Sequence, residues 1–354
     1  QRLAPFILQM STKLIVLDFH FQCFFQIQVA NAVDLHALAD MAIESANRTD
    51  IHGLVIFHRG DDFFHRHEHI DVETHNESIY NKNTNPFAKR IEHVYEQCER
   101  VADAVRTSIK TNHFPIVLSG DHSSALGTIS GIKAANPHHT LGVIWLDAHA
   151  DLHSPYTSPS GNIHGMPLAA VLGMDNLQHQ LNPIEAATEY FWRKIKNIGI
   201  NGPKLRPEHL VYFGLRDFER AEEELILQEG ILHYRVDEMR EKKISTCVET
   251  CLKQLQDCDI IYISFDVDSM DCDSISYGTG TPVPTGFYPT EIINIIDLLM
   301  DSGKVCCIEF TEINPLLDNK GNRMAETAFE VLSFIAKKLE TDSVPAKQFS
   351  VQGS

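Results

Sequence analysis

The 354 residues include 30 Lys and Arg against 48 Asp and Glu, which gives a formal net charge of -18, and 43% of them are hydrophobic. Such a chain can bury a sizeable core, either in one large α/β domain or in two smaller ones. The acidic balance argues against a nucleic-acid partner, because contacts to phosphates need clustered Lys and Arg, and a cationic or neutral small substrate fits better.

Short apolar runs predict the strands of the fold. The first lies within 14–29, where Asp18, His20 and Gln22 make the stretch too polar for a membrane span or a signal peptide. Because the apolarity is continuous rather than alternating, we expect strands that are covered on both faces. The predicted strands are 14–17, 54–57, 115–118, 141–146, 211–213, 260–265 and 305–308.

Longer amphipathic segments separate these runs and predict helices. Strands that alternate with helices imply βαβ units, so we predict a three-layer α/β/α fold with a mostly parallel central sheet. In such folds, ligands bind beyond the carboxyl ends of the strands. The predicted helices are 91–109, 222–229, 244–256, 290–300 and 325–339.

Segments rich in Ser, Thr, Gly and Pro predict loops at 157–165 and 274–286, and each of them follows an acidic cluster. We also interpret 76–86 as a loop, and the His-rich stretch 65–69 as a polar surface loop rather than a second metal site. The tail at 342–354 is predicted to be flexible.

The eight cysteines form no CxxC pair and no spacing typical of a zinc site. We interpret them as reduced thiols, because a disulfide framework is uncommon in a long chain with scattered cysteines. A reducing cytoplasm is therefore the expected compartment. The cysteines are Cys23, Cys98, Cys247, Cys251, Cys258, Cys272, Cys306 and Cys307.

Potential metal ligands recur at every second position directly after the run 141–146. They are Asp147, His149 and Asp151. Side chains of an extended chain alternate between two faces, so all three can point the same way. This pattern predicts a ligand cluster at the end of a strand.

Two more strand ends carry similar side chains. Asp266 and Asp268 follow the run 260–265 with the same spacing, and His122 follows a Gly turn. An isolated Asp at a strand end is usually a turn former or a helix cap. Four Asp and two His at three strand ends are hard to explain without a metal, because unpaired carboxylates would repel and raise one another's pKa.

The ligand types indicate which metal to expect. Two divalent ions would offset the four carboxylates, and the two neutral imidazoles would complete the set. Oxygen ligands favour manganese or magnesium over zinc, and the imidazoles favour manganese of these two. Metals roughly 3.5–4 Å apart can share a water and lower its pKa, which gives a hydroxide nucleophile near neutral pH. We therefore predict a two-manganese hydrolase.

Three segments, SGDHS (119–123), DAHAD (147–151) and SFDVDSMD (264–271), resemble the signature motifs of the ureohydrolase family, which includes arginases and agmatinases. They stand in the family's order, and the resemblance covers 114–339. It implies an α/β fold, two manganese ions and release of urea from a guanidinium group. We expect one ureohydrolase domain over 1–354 with a divergent part at 1–113, and a homo-oligomer, since family members are commonly trimers or hexamers.

Within the family, the segment SGNIHG (160–165) resembles the substrate loop of arginases, which implies L-arginine as the substrate. By this resemblance, Ser160 and Asn162 would bind the α-carboxylate, and His164 would move protons at the mouth of the site. Asp151, also a ligand, would pass a proton from the attacking hydroxide to the departing amine, giving urea and ornithine.

Other positions imply further substrate contacts. By the same resemblance, Asp217 in the segment GLRD would bind the α-amino group, with Glu219 and Glu222 close by. Glu312 would pair with the guanidinium, a planar donor that suits a carboxylate. Thr281 would lie near the centre where urea forms.

Several positions depart from the arginase pattern. His153 stands where arginases commonly have an Asn that binds the α-carboxylate, and Glu219 where they usually have Asp. Ser119 replaces a Gly, and Cys272 replaces a Pro. These departures leave another guanidino substrate open, such as agmatine or a guanidino acid. A metal-binding homologue without catalysis is the alternative from a different class.

Overall fold

The computed structural model describes residues 53–58, 68–74 and 82–341. The predicted strand at 14–17 and the predicted tail at 342–354 lie outside these residues. Across the described ranges, the structure contains no helix that is both long enough and apolar enough to cross a membrane.

One sheet of eight strands forms the centre of the described fold, in the order β2-β1-β3-β8-β7-β4-β5-β6. The six strands from β3 to β8 run parallel, and β1 pairs antiparallel with both β2 and β3. The mostly parallel sheet is therefore confirmed. The strands are β1 (Gly53–His58), β2 (Glu68–Ile70), β3 (His113–Leu118), β4 (Leu141–Leu146), β5 (Leu210–Phe213), β6 (Leu232–Tyr234), β7 (Ile260–Asp266) and β8 (Val305–Thr311).

Helices join most of the parallel strands. All five predicted helices are confirmed, with ends that agree within two residues. Four further helices and the strands β2 and β6 were not predicted. The helices are α1 (Ile91–Lys110), α2 (Ser124–Ala135), α3 (Pro167–Leu172), α4 (Ala186–Ile195), α5 (Arg220–Glu229), α6 (Val236–Lys242), α7 (Ile244–Gln254), α8 (Pro289–Met300) and α9 (Arg323–Thr341).

The core lies in two layers, one on each face of the sheet. In β4, Val143 and Trp145 join the cluster that contains buried side chains of α1 to α5, whereas Ile144 and Leu146 join the cluster built with α6 to α9. Each fully buried aliphatic side chain contributes about 1.5–3 kcal/mol to stability. Burial on both faces explains why the strands have continuous apolar sequences, and the three-layer α/β/α prediction is confirmed.

The loop predictions are confirmed at 274–286, and at 157–165 apart from a short 3-10 turn at Ile163–Gly165. The prediction of a loop at 65–69 is wrong for Glu68 and His69, which lie in β2. This strand pairs with β1 through its backbone, and polar residues are common on edge strands because one side of the strand has no neighbour. Residues 65–67 are outside the described part.

The cysteines of the described ranges are all free thiols, as predicted. Six of the seven are buried in the two core layers or beside them, and Cys306 is partly exposed. Cys23 lies outside the described residues.

Candidate metal centre

Three parallel strands end at the same edge of the sheet and carry the predicted metal ligands. Strands β7 and β4 are neighbours, and β8 lies between β3 and β7. His122 follows β3, the segment 147–151 follows β4, and Asp266 is the last residue of β7. The strands β4 and β7 are in register, with Leu146 opposite Phe265, so their acidic ends meet. The structure brings all six predicted ligands together at this edge.

His122 forms the centre of one half of the cluster. Its Nδ1 lies 3.0 Å from Asp147 Oδ2, 3.0 Å from Asp151 Oδ2 and 3.2 Å from Asp266 Oδ2. The four side chains are buried. Three carboxylate oxygens and one imidazole nitrogen therefore converge on one point.

His149 forms the centre of the other half. Its Nδ1 lies 2.9 Å from Asp268 Oδ2 and 3.5 Å from Asp147 Oδ1. Asp147 thus offers one carboxylate oxygen to each half of the cluster. A carboxylate shared in this way is suited to bridge two adjacent cations.

The backbone of both acidic segments turns in the same way. The amide of His149 donates to Asp147 Oδ1, and the amide of Asp268 donates to Asp266 Oδ1, both at 2.7 Å. Such Asp side-chain turns end a strand locally. The carboxylates therefore share an edge because the chain turns at each of them, and the extended chain expected from the alternating spacing is not found there.

The donor set fits divalent metal ions. His122 Nδ1 and Asp147 Oδ2 are buried and have no hydrogen-bond partner within the described ranges. Leaving a buried polar atom unsatisfied costs about 1–3 kcal/mol. A cation between these atoms would satisfy both of them.

The electrostatics of the cluster lead to the same conclusion. Burial by itself lowers the pKa of His122 and of His149, but the adjoining carboxylates outweigh it and raise both pKa values. Burial and neighbouring carboxylates raise the pKa of Asp266 well above its ordinary value. The cluster thus favours positive charge, which bound cations would supply.

Glu312 lies beside the His122 half of the cluster. Its Oε1 accepts a hydrogen bond from the His122 backbone amide at 2.9 Å, and its own amide donates to Gly120 O at 2.8 Å. Burial raises its pKa to about 7, and nearby His164 acts in the opposite direction. Glu312 has a φ of 64°, a conformation that costs a non-glycine residue on the order of 1–3 kcal/mol. The surrounding contacts therefore hold Glu312 in a strained position.

Two other predicted residues lie at the His149 half. Thr281 Oγ1 donates to Asp268 Oδ2 at 3.1 Å. Asp217 Oδ2 lies 3.8 Å from His149 Nε2, and the Asp217 side chain is 66% exposed. His149 is itself partly exposed, so the cluster opens to solvent on this side.

His153, Glu219 and Glu222 contact one another at the rim. His153 Nδ1 is 3.0 Å from Thr157 Oγ1, and its Nε2 is 2.9 Å from Glu219 Oε2. Burial raises the pKa of Glu222 to about 8, whereas the hydrogen bond from His153 lowers the pKa of Glu219 to about 2. Both ring nitrogens of His153 are engaged, and of these three residues Glu219 is the one that is exposed to solvent.

Hydrogen bonds join the predicted substrate loop (160–165) to the segment before α1. Lys89 Nζ donates to Asn162 Oδ1 at 2.9 Å, and the Lys89 amide donates to Gly161 O at 2.7 Å. Ser160 is exposed, and both Asn162 and His164 are partly exposed. No sequence pattern indicated Lys89, because it lies in the divergent part of the chain and belongs to no motif.

Replacing Gly161 with Ala is expected to displace this loop. Gly161 has a φ of 73°, and an added Cβ would lie 2.0 Å from Pro86 O. The left-handed backbone alone costs a non-glycine residue about 1–3 kcal/mol. We therefore expect a lower thermal unfolding midpoint together with a higher KM for the substrate.

Gly202→Ala is the matched control, because Gly202 has a similar φ of 79° and open space around the added Cβ. It should show the backbone effect on unfolding without the change in KM. Equal effects of the two substitutions on both quantities would contradict the role of the contact with Pro86.

Arg216 is a second residue that sequence reasoning missed, although it lies within the GLRD segment. Its guanidinium donates to the backbone oxygens of Asp268 at 2.7 Å, Val283 at 2.8 Å and Pro284 at 3.0 Å. Arg216 therefore joins the loop that carries Asp268 to the loop that carries Thr281.

Comparison with known proteins agrees with this geometry. The Arginase family model matches residues 34–336. The arginase of Bacillus subtilis (strain 168) is 36% identical over 270 residues, which are 76% of this chain and 83% of that protein. The structure of the Bacillus cereus arginase aligns with a TM-score of 0.63 at 32% identity, over 72% of this chain and 81% of that one.

The Entamoeba histolytica arginase, solved in complex with L-ornithine, is similar as well. It aligns with a TM-score of 0.63 at 28% identity, over 72% of this chain and 82% of that chain. The family match spans most of the chain, and the buried His and Asp clusters suggest a binuclear metal site of the kind expected. This chain therefore belongs to the arginase family and is a hydrolase of the ureohydrolase type.

Proposed function

We propose that this protein hydrolyses L-arginine to L-ornithine and urea with two manganese ions. The observation that carries the proposal is the shared carboxylate of Asp147, with Oδ2 facing His122 and Oδ1 facing His149. Relatives named arginase at 31–36% identity support the substrate, and one similar arginase was solved with L-ornithine.

The two halves of the cluster would each hold one metal ion. His122, Asp151 and Asp266 would hold the first, His149 and Asp268 the second, and Asp147 would hold both. Four carboxylates with two imidazoles favour manganese over zinc. When bound, the two ions would lower the pKa of a water molecule and offset negative charge that develops during the reaction.

Glu312 would hold the guanidinium of the substrate. Its Oε1 is occupied by the His122 amide, which leaves Oε2 to accept a hydrogen bond from the guanidinium. The hydrogen bonds that hold Glu312 at its positive φ also fix the direction of its carboxylate before the substrate arrives. A charge-assisted pair of this type fixes orientation as well as affinity.

Asp151 and His164 would handle protons. Asp151 lies on the side of the cluster nearest His122, where it can accept the proton of the attacking group and pass it to the departing amine. His164 lies near Glu312 and is partly exposed, so it can carry a different proton between solvent and the product amine. Replacement of the departing guanidino nitrogen by oxygen then gives urea and a primary amine.

The amino acid end of the substrate would lie at the exposed rim. Ser160 and Asn162 would face the α-carboxylate, and Asp217 and Glu219 would face the α-amino group. His153 and Glu222 would position Glu219 through the contacts described above. Thr281 would support the centre of the reaction through Asp268.

A second candidate is the hydrolysis of another guanidino compound. It is favoured by His153, whose two ring nitrogens are engaged by Thr157 and Glu219. This pair alters the rim at which an arginine α-carboxylate would bind. Agmatine lacks that carboxylate, and guanidino acids lack the α-amino group.

The compartment and the assembly are also proposed. The free thiols of the described cysteines support a reducing compartment such as the cytoplasm. The family resemblance supports a homo-oligomer, either a trimer or a hexamer. The measured mass of the native protein in solution would test the assembly.

Urea release after manganese loading tests the proposed function. L-arginine, agmatine and guanidinobutyrate are compared, each with and without a chelator. We expect urea from L-arginine and loss of activity with the chelator. If urea is released from another compound instead, that compound is the substrate. If no compound releases urea, the protein is better described as a metal-binding homologue without catalysis.

A further inference from the structure

A lysine outside the sequence motifs contacts the predicted substrate loop. Lys89 Nζ donates to Asn162 Oδ1 at 2.9 Å, and the Lys89 backbone amide donates to Gly161 O at 2.7 Å. The side chains of Ala88 and Ile91, on either side of Lys89 in the chain, are fully buried and anchor this segment. The loop therefore holds Lys89 by its main chain and by its side chain.

The contact fixes the orientation of the side-chain amide of Asn162. An ammonium group can only donate hydrogen bonds, so the atom of Asn162 that faces Lys89 has to be the amide oxygen. The NH2 group of Asn162 then points away from Lys89, and it donates to no acceptor within the described part of the chain. Because Asn162 is partly exposed, this NH2 group is available to a ligand.

The ammonium group of Lys89 also has donors available. It carries three N–H bonds, and among the described residues it donates to Asn162 Oδ1 alone. Lys89 is itself partly exposed. A ligand that binds beside Asn162 can therefore accept hydrogen bonds from both side chains.

The loop lies alongside the segment that carries a predicted metal ligand. Gly165 O accepts a hydrogen bond from the His153 backbone amide at 3.0 Å, and the Leu168 amide donates to Asp151 O at 3.1 Å. Both of these contacts lie within six residues of Asn162. The donors of Asn162 and Lys89 thus belong to the surroundings of the metal centre.

The rest of the rim is acidic. The side chains of Asp217 and Glu219 are 66% and 57% exposed, and across the described ranges their ion-pair partners are His149 and His153 rather than any Lys or Arg. Such a rim attracts an ammonium group and repels a carboxylate. The amino acid end of L-arginine carries both groups, so its carboxylate needs a cationic partner.

We propose that Lys89 is a specificity-determining residue for the α-carboxylate of the substrate, with which it pairs while it turns the NH2 group of Asn162 towards the same carboxylate. The inference rests on the proposed hydrolysis of L-arginine. A charge-assisted pair is roughly twice as strong as a neutral hydrogen bond. Lys89 thus supplies a carboxylate partner in a chain in which both ring nitrogens of His153 are engaged.

Binding of L-ornithine and of putrescine to the manganese-loaded protein tests this inference, measured by titration calorimetry. The two compounds differ by the α-carboxylate alone, so the parent is expected to bind L-ornithine more tightly. Lys89→Met removes the charge and the donor. It is expected to weaken L-ornithine binding by about 10- to 100-fold, the range for a lost hydrogen bond to a charged group, and to leave putrescine within about threefold.

Lys89→Arg is the conservative variant and Lys304→Met is the matched control. Arg keeps both the charge and a donor for Asn162, so it should retain most of the affinity for L-ornithine. Lys304 is also partly exposed and donates to Gln256 O and Cys258 O at the opposite edge of the sheet. Its replacement should lower the thermal unfolding midpoint and leave the affinity for both compounds unchanged.

The inference is overturned if Lys89→Met binds L-ornithine as the parent does, if it weakens putrescine equally, or if the parent does not prefer L-ornithine. The titration measures binding without turnover, so its outcome is separate from the urea assay. A parent that prefers L-ornithine through Lys89 but releases no urea would refute the proposed reaction and leave this inference standing. Urea from L-arginine together with unchanged binding in Lys89→Met would do the reverse.

Discussion

Asp151→Asn is expected to lower kcat/KM for L-arginine by about 10²- to 10⁴-fold, the range typical of removing a group that transfers protons. The amide cannot accept the proton of the attacking group, and it is a weaker ligand at the His122 half. Asp151 has a φ of 52°, a conformation that Asn adopts readily. The variant should therefore fold, so that the loss reports on chemistry.

The control for this substitution is Asp301→Asn. Asp301 pairs with Lys338 at the surface and its side chain is 60% exposed, so the same chemical change should leave activity as it is. Urea release and unfolding are measured for both variants after manganese loading. If Asp151→Asn keeps most of the parent's activity at full metal loading, Asp151 does not transfer the proton.

Glu312→Gln is expected to have an effect of similar size through the substrate. Truncating one partner of a buried charge pair costs about 2–5 kcal/mol, roughly 30- to 4000-fold in kcat/KM. Gln can still accept the hydrogen bond from the His122 amide, so manganese affinity should stay close to that of the parent. The expected signature is therefore a large loss of kcat/KM without a loss of metal.

Glu238→Gln serves as the control, because Glu238 pairs with Lys242 on the solvent-facing side of α6. Steady-state kinetics and manganese titration are run on both variants. A change in manganese affinity as large as the change in kcat/KM would mean that Glu312 acts through the metal centre. If the kinetics of Glu312→Gln are close to those of the parent, Glu312 does not contribute to substrate binding.

The six candidate metal ligands could be predicted because the sequence pattern that indicates them is local. Each ligand stands one or a few residues beyond a run of apolar residues, and parallel strands carry such positions to one edge of the sheet. What the spacing could not show is the division into two halves. That depends on the side-chain turn at Asp147, in which Oδ1 lies on the side of His149 and Oδ2 on the side of His122.

The fold was predicted wherever hydrophobic periodicity was strong, and missed where packing overrides it. Helix α2 contains Gly127 and Gly131, which weaken its helical pattern. Added Cβ atoms there would lie 2.8 Å from Cys98 O and 2.5 Å from Ala102 O. The glycines allow α1 and α2 to pack closely, a requirement that appears only when both helices are in place.

The sequence by itself determined six of the eight described strands, five of the nine described helices and the six candidate ligands, because local apolar runs and residue spacing encode them. The tertiary structure decided which groups are already engaged. It forms hydrogen bonds between His153 and Glu219, between Lys89 and Asn162, and between Glu309 and both Ser119 and Tyr262. These partners are 47 to 190 residues apart, and no local pattern links residues that only the packing of distant elements brings within hydrogen-bond distance.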